Sequence, residues 1–204
     1  YEIMPSLVGS EMCIRDRGMS VSVKTRIGKN DPAEWPGLLA IYRKYPLSEL
    51  IVHPRIQKEF YKGVPHRDAW AAVSGPWPAV YNGDIFTPED AAVLCRDYPG
   101  TDAVMLGRGL MRDPALLRRL RGGPAASAQE LRTYHDRLLE AYRQRLSGDQ
   151  PVMHRMWELW AYLSAGFTQP EPYLKRMRKA KNLSEYRSAV DALFREQLSL
   201  IHIS

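Results

Sequence analysis

The chain has 204 residues, 45% of them hydrophobic and 25% charged, which is the composition of a globular protein with room for one domain and a small appendage. That length excludes a complete eightfold βα barrel, which needs about 250 residues, and no apolar run approaches the roughly 20 residues that cross a bilayer, so no membrane partner is expected. A formal net charge of +6 favours a polyanionic partner.

Cys13 and Cys95 are the two cysteines. They form neither a disulfide framework nor a metal-ligating cluster, so no metal is expected and a reducing, cytoplasmic location is. Glu2 and Glu11 are acidic where a signal peptide needs basic residues. Pro5 to Arg17 and Leu198 to Ser204 match no pattern continuous with their neighbours. We read residues 1–18 and 198–204 as a non-native leader and tail, which removes Cys13 from the native sequence; flexible extensions are the other reading.

From Val21 onward, short β-rich runs alternate with helical ones. The runs are Val21–Ile27, Leu50–His53, Ala79–Asn82 and Ala103–Leu106. Asp31-Pro32 and Thr87-Pro88 each place a capping side chain before a proline at the first helical position. A strand spacing of about 25–30 residues suits βα units of a parallel sheet with right-handed crossovers. Four such units predict an α/β fold: the C-terminal half of a (βα)8 TIM barrel over residues 19–123. After Gly122-Gly123-Pro124 the strand signals stop. Apolar residues then recur at helical spacing over Ser127–Leu146, Val152–Gly166, Pro172–Lys181 and Ser184–Gln197, which predicts an all-α bundle domain over 124–197.

The chemistry gathers at the strand ends. Asn82-Gly83-Asp84 follows the third run and Gly107-Arg108-Gly109 the fourth. In such barrels the loops after the last two strands bind phosphate: glycine lets backbone N–H groups approach, and arginine adds a fork of charged donors. Either tripeptide alone is an ordinary turn; one βα unit apart, they point together to phosphate. Lys24 and Arg26 alternate on the first strand and share a face. A lysine there suits the pyrimidine edge of a flavin, the alternative being a solvated lysine near a strand end. His53 ends the second run, where a satisfied structural histidine competes with a functional one. For Cys95, in the helix after Thr87, a buried structural thiol is expected.

Lys24-x-Arg26-x-Gly28, then His53-x-Arg55 with Tyr61-x-Gly63, then Asn82-Gly83-Asp84 and Met105-x-Gly107-Arg108-Gly109, resemble the C-terminal half of the tRNA-dihydrouridine synthases. Trp157 to Trp160 and Leu174 to Lys181 resemble that family's helical domain. The resemblance runs from Met19 to Gln197. It implies FMN held by Lys24, His53, Asn82, Gly83, Asp84, Gly107 and Arg108, and NADPH-driven reduction of a uridine in tRNA. It also implies a proton-donating cysteine upstream of residue 19, a role neither Cys13 nor Cys95 fills, so no catalytic residue is assigned and the chain by itself is expected to be inactive.

The same resemblance turns the cations Lys175, Arg176, Arg178 and Lys179, with Arg118, Arg119 and Arg121, into an RNA-binding surface; by themselves they read as a solvated helical face. Two other readings stay open: a non-flavin aldolase- or isomerase-like barrel in which Lys24 forms a Schiff base, and a chain that retains only an RNA-binding helical module.

Overall fold

A computed structural model describes residues 20–197. The expected leader, with Cys13, and the expected tail lie outside the described residues. The chain divides into two compact units, one running to Asp84 and including Ala92–Leu106, the other comprising Ile85–Ala91 and the residues from Gly107 on.

The first unit is built on a parallel sheet. Strand β1 (Ser22–Gly28) runs into a 3-10 turn at Pro32–Glu34 and helix α1 (Trp35–Tyr42). The start signal works as the sequence predicts: Asp31 accepts from the Ala33 N–H at 2.8 Å, and the Glu34 carboxylate accepts from the N–H groups of Lys29, Asn30 and Asp31. Strand β2 (Glu49–Ile56) follows, then the one-turn helix α2 (Arg67–Ala71) and strand β3 (Ala79–Tyr81). The strand order is β1-β2-β3, every pairing parallel. From Leu50 to Ile56 every residue of β2 is buried, as a central strand covered on both faces must be. Pro54 has no N–H to give the ladder, and there the register slips: Arg26 pairs with His53, but Gly28 pairs with Ile56.

The fourth expected strand, Ala103–Leu106, is reduced to one parallel bridge between Tyr81 and Val104. Two hydrogen bonds flank it, from Tyr81 N–H to the Ala103 carbonyl at 3.0 Å and from Met105 N–H to the Tyr81 carbonyl at 2.7 Å. On this edge of β3 only Tyr81, its last residue, takes part. The observed fold is thus α/β with a small parallel sheet. Helix α3 (Pro88–Asp97) begins at the predicted cap, where the Asp90 N–H reaches Thr87 Oγ1 and the Asp90 carboxylate returns to the N–H groups of Phe86 and Thr87.

The second unit is helical: α4 (Arg108–Arg112), α5 (Leu116–Leu120), α6 (Ala128–Arg145), α7 (Asp149–Leu163), α8 (Glu171–Lys179) and α9 (Leu183–Gln197). Leu131 and Leu139 of α6, Met156 and Trp160 of α7, and Val190 and Leu193 of α9 centre its apolar core. Inside that core runs a polar chain. Trp160 Nε1 donates to the Tyr186 hydroxyl at 2.7 Å, which donates to His135 Nε2 at 2.7 Å; His135 Nδ1 then meets Asp136 Oδ1 at 2.8 Å. Buried polar atoms tolerate such a core only when each has a partner. Among the described residues, no helix is long and apolar enough to cross a membrane.

Candidate functional site

In the first unit, four cationic or imidazole side chains gather on β1 and β2. Lys24 is exposed. Partial desolvation, with the neighbouring Arg26 charge, holds its ammonium below the usual lysine range. Arg26 is tied down: its guanidinium donates to the carbonyls of Ile56 at 2.8 Å and Phe60 at 3.0 Å, and lies 5.8 Å from the Tyr61 ring centroid. His53, opposite Arg26 in the ladder, is 7% exposed, and its ring sits 6.2 Å from that of Tyr61 at 33°. Burial first, then the charges of Arg26, Lys24 and Arg55, push its pKa down to about 4. His53 is therefore a neutral imidazole at neutral pH, offering one donor and one acceptor rather than a charge.

Arg55, two residues on, is completely buried and forks onto Asp84, Nη1 to Oδ1 at 3.0 Å and Nη2 to Oδ2 at 2.7 Å. Its Nη2 also donates to the Gly63 carbonyl. The sequence did carry a signal for this residue: an arginine inside an apolar strand demands a partner. Nothing local says that the partner stands 29 positions away.

The Asn82-Gly83-Asp84 loop leaves the end of β3. The Asn82 N–H donates to the Val52 carbonyl at 2.8 Å, and its side-chain amide to the Met105 carbonyl at 2.9 Å, so Asn82 stitches the sheet to the bridging segment. Gly83 lies over Tyr81 so closely that a Cβ there would meet the phenol oxygen at 2.1 Å. Lys24, His53, Asn82, Gly83 and Asp84 thus all lie in one unit, with Arg26, Arg55 and Tyr61 beside them.

Gly107 and Arg108 belong to the second unit, at the start of α4. The Arg108 and Arg112 guanidiniums lie 5.5 Å and 5.8 Å from the centroid of the Phe86 ring. No atom approaches within 4 Å of a Cβ added at Gly107, whereas one at Gly109 would meet the Ile85 carbonyl oxygen at 2.2 Å. The second glycine of this motif is needed for packing. Cys95 corrects the sequence reading: it is exposed. The buried position of α3 is Leu94, and one residue further turns a side chain by about 100°.

Lys175, Arg176, Arg178 and Lys179 are all exposed on α8, but they do not form one face. Arg178 lies 4.3 Å above the Trp157 ring of α7, while Arg176 and Lys179 turn toward α9. The expected cations before α6 are engaged internally: Arg118 forks onto Glu130 at 2.7 and 3.1 Å, and Arg119 reaches the buried Asp113 at 2.9 Å.

The profile of the family described as dihydrouridine synthase matches residues 14–199. The tRNA-dihydrouridine(16) synthase of Escherichia coli is 27% identical over 189 residues, covering 88% of this chain and 58% of that protein. That of Shewanella oneidensis is 28% identical over 175 residues, covering 81% and 53%. That of Ralstonia nicotianae is 30% identical over 123 residues, covering 59% and 37%. The chain therefore spans between about a third and somewhat more than half of the curated relatives it matches. By the match over most of its length, this chain belongs to the dihydrouridine synthase family.

Proposed function

We propose that the chain is the flavin-holding and RNA-contacting part of an oxidoreductase that reduces uridine to dihydrouridine in tRNA, with FMN as cofactor and NADPH as the source of electrons. The relatives named above act, by their names, at position 16, and uridine 16 is the substrate position we propose. The observation that carries this reading is the row of Lys24, Arg26 and neutral His53 on β1 and β2, beside the loop in which Gly83 lies against Tyr81.

That row suits a flat, anionic, hydrogen-bonding group. Lys24 supplies a positive charge at the accessible edge, and His53 supplies a donor and an acceptor without adding charge. Gly83 adds no side chain of its own to the loop, which packs against Tyr81. Asp84 orders this loop through Arg55, and Arg108 brings a guanidinium suited to phosphate. The chemistry that FMN supplies when bound is hydride delivery to the uracil ring. Around it, Lys24 holds charge at the ring edge, Arg55 and Asp84 keep the loop in place, and the exposed cations of α8 attract the RNA backbone. This support is chemical complementarity between the residues and the cofactor.

The test is FMN titration of the purified chain, followed by flavin fluorescence. Arg108→Ala and Lys24→Ala are each expected to weaken FMN retention, Arg108 by on the order of 1.5–3 kcal/mol for charge-assisted phosphate contacts. Unaltered FMN affinity in both variants would overturn the site. A chain that takes up no flavin, but whose Lys24 is trapped by borohydride with a carbonyl compound, would establish the Schiff-base reading instead.

A further inference from the structure

Three buried side-chain atoms lack a hydrogen-bond partner among the described residues: the Tyr81 hydroxyl, Arg67 Nε and Arg55 Nε. All belong to the first unit, and their residues meet at the Asn82-Gly83-Asp84 loop. Arg55 forks onto Asp84, and the Tyr81 phenol lies against Gly83. Arg67 opens α2. Burial pushes the Tyr81 pKa up, while Arg67 and, more weakly, Arg55 pull it down. The Arg67 guanidinium thus stands beside the phenol without completing a hydrogen bond to it. Native interiors leave few such atoms, and each calls for an acceptor that the surrounding chain does not supply.

The kind of acceptor follows from the donors. A guanidinium N–H only donates, and the phenol O–H beside it has nothing to donate to. A water molecule between them would bring two hydrogens of its own into a place that is short of acceptors, not of donors. Charge argues the same way. Of the groups that act on the phenol, Arg67 and Arg55 are positive and Asp84 is negative, and both Asp84 oxygens are already held by Arg55. Among the described residues Arg67 forms no ion pair, so one guanidinium charge is left over. An anion answers both demands. It must be small, because Tyr81 and Arg55 are wholly buried and Gly83 closes so tightly over the phenol that a Cβ would stand 2.1 Å from its oxygen. A single atom suits that space better than a phosphate with four oxygens. Arg67 is only half-buried, which leaves an approach from solvent.

We propose that the Tyr81 hydroxyl and Arg67 Nε hold a chloride ion beside the Asn82-Gly83-Asp84 loop, with the Arg55 guanidinium as the second positive charge near it. The ion links α2, through Arg67, to the end of β3, through Tyr81. It thereby braces the loop that Arg55 and Asp84 orient. The site does not depend on the chain's binding flavin or RNA.

The experiment is thermal unfolding of the full chain at constant pH and ionic strength, with sodium chloride exchanged for sodium gluconate, whose anion is too large for the site. The wild type is expected to unfold about 2–4 °C higher in chloride, the shift given by an ion at about five times its dissociation constant. Tyr81→Phe and Arg67→Met should each abolish the difference between the two salts. Chloride NMR reads the same site in the folded wild type without any substitution: the chain should broaden the chloride line, and added bromide should narrow it again. Equal unfolding midpoints in the two salts, or an unbroadened line, would overturn the proposal and leave the donors to water. A salt difference that persists in both variants places the chloride elsewhere and overturns it too. If added FMN narrows the chloride line mole for mole, these donors belong to the cofactor's phosphate, and the resident ion is wrong while the flavin reading stands. Chloride dependence in a chain that takes up no FMN would uphold the ion and remove the flavin.

Discussion

The guanidinium of Arg55, fully buried in β2, holds both carboxylate oxygens of Asp84 in the loop after β3. A forked pair of this kind fixes orientation as well as distance, so the loop that carries Asn82 and Gly83 is set by a residue on the neighbouring strand. Removing only the carboxylate strands a positive charge in the interior. Asp84→Ala is therefore expected to destabilise the protein by about 3–5 kcal/mol in urea unfolding. Arg55→Met should cost less, because the Asp84 side chain is 26% exposed and water can reach it. Equal costs for the two would show that the buried charge is not what makes the pair matter.

Gly83 gives a second test of the same loop. A Cβ there would stand 2.1 Å from the Tyr81 hydroxyl, but also 2.3 Å and 2.5 Å from ring carbons. Gly83→Ala must displace the loop or the ring, and FMN affinity is expected to fall. Tyr81→Phe in the same chain should not restore it, since the ring carbons remain. Rescue by Tyr81→Phe would mean that the hydroxyl alone makes the contact.

The features legible in the sequence are those written in neighbouring residues. The caps at Asp31 and Thr87 and the four long helices rest on local hydrogen bonds and helical periodicity, and they stand close to where the residue pattern puts them. The parallel order β1-β2-β3 follows from spacing. What escaped depends on partners distant in sequence. Arg55 finds Asp84, Arg26 finds the Phe60 carbonyl, and Arg178 finds Trp157, none of them within a helical turn. The fourth strand is reduced to a bridge at Tyr81, the last residue of β3. Cys95 reads as apolar by type, yet helix phase turns it outward beside Leu94.

His53 provides a titration test. Its pKa is held near 4 by burial and by the cations around it, whereas an unfolded histidine titrates near 6.5. The unfolded chain thus takes up this proton first. The stability tied to neutral His53 is present above about pH 6.5 and is lost as pH falls toward about 4. An NMR titration of the ring protons is expected to show a midpoint well below the ordinary histidine range. Arg26→Gln and Lys24→Gln should each raise that midpoint, without restoring it fully because burial is the larger cause. A wild-type midpoint near the ordinary value would remove the basis for treating His53 as an uncharged donor and acceptor.

The chain from Trp160 through Tyr186 to His135 makes the corresponding prediction for the helical unit. The Tyr186 hydroxyl accepts the indole N–H and gives its own proton to His135 Nε2, which leaves the Nδ1 proton for Asp136. Tyr186→Phe removes both hydroxyl bonds and leaves a buried indole N–H and a buried imidazole nitrogen without partners. At about 1–3 kcal/mol for each stranded group, the loss should be on the order of 2–6 kcal/mol. The same geometry predicts acid sensitivity. A proton added at Nε2 would face a hydroxyl that must then accept twice, with nowhere to send its own hydrogen. Burial, the largest cause, accordingly holds the His135 pKa below the usual histidine value despite the adjacent Asp136. Stability conferred by neutral His135 is therefore complete above about pH 6.5 and declines as pH falls below it. In thermal unfolding between about pH 7 and about pH 5, the helical unit should lose Tm steadily. His135→Gln should begin lower and show a shallower decline, because glutamine has no proton to gain. Parallel pH profiles for the wild type and His135→Gln would show that this imidazole does not control the acid response, and the account of the buried chain would fail with it.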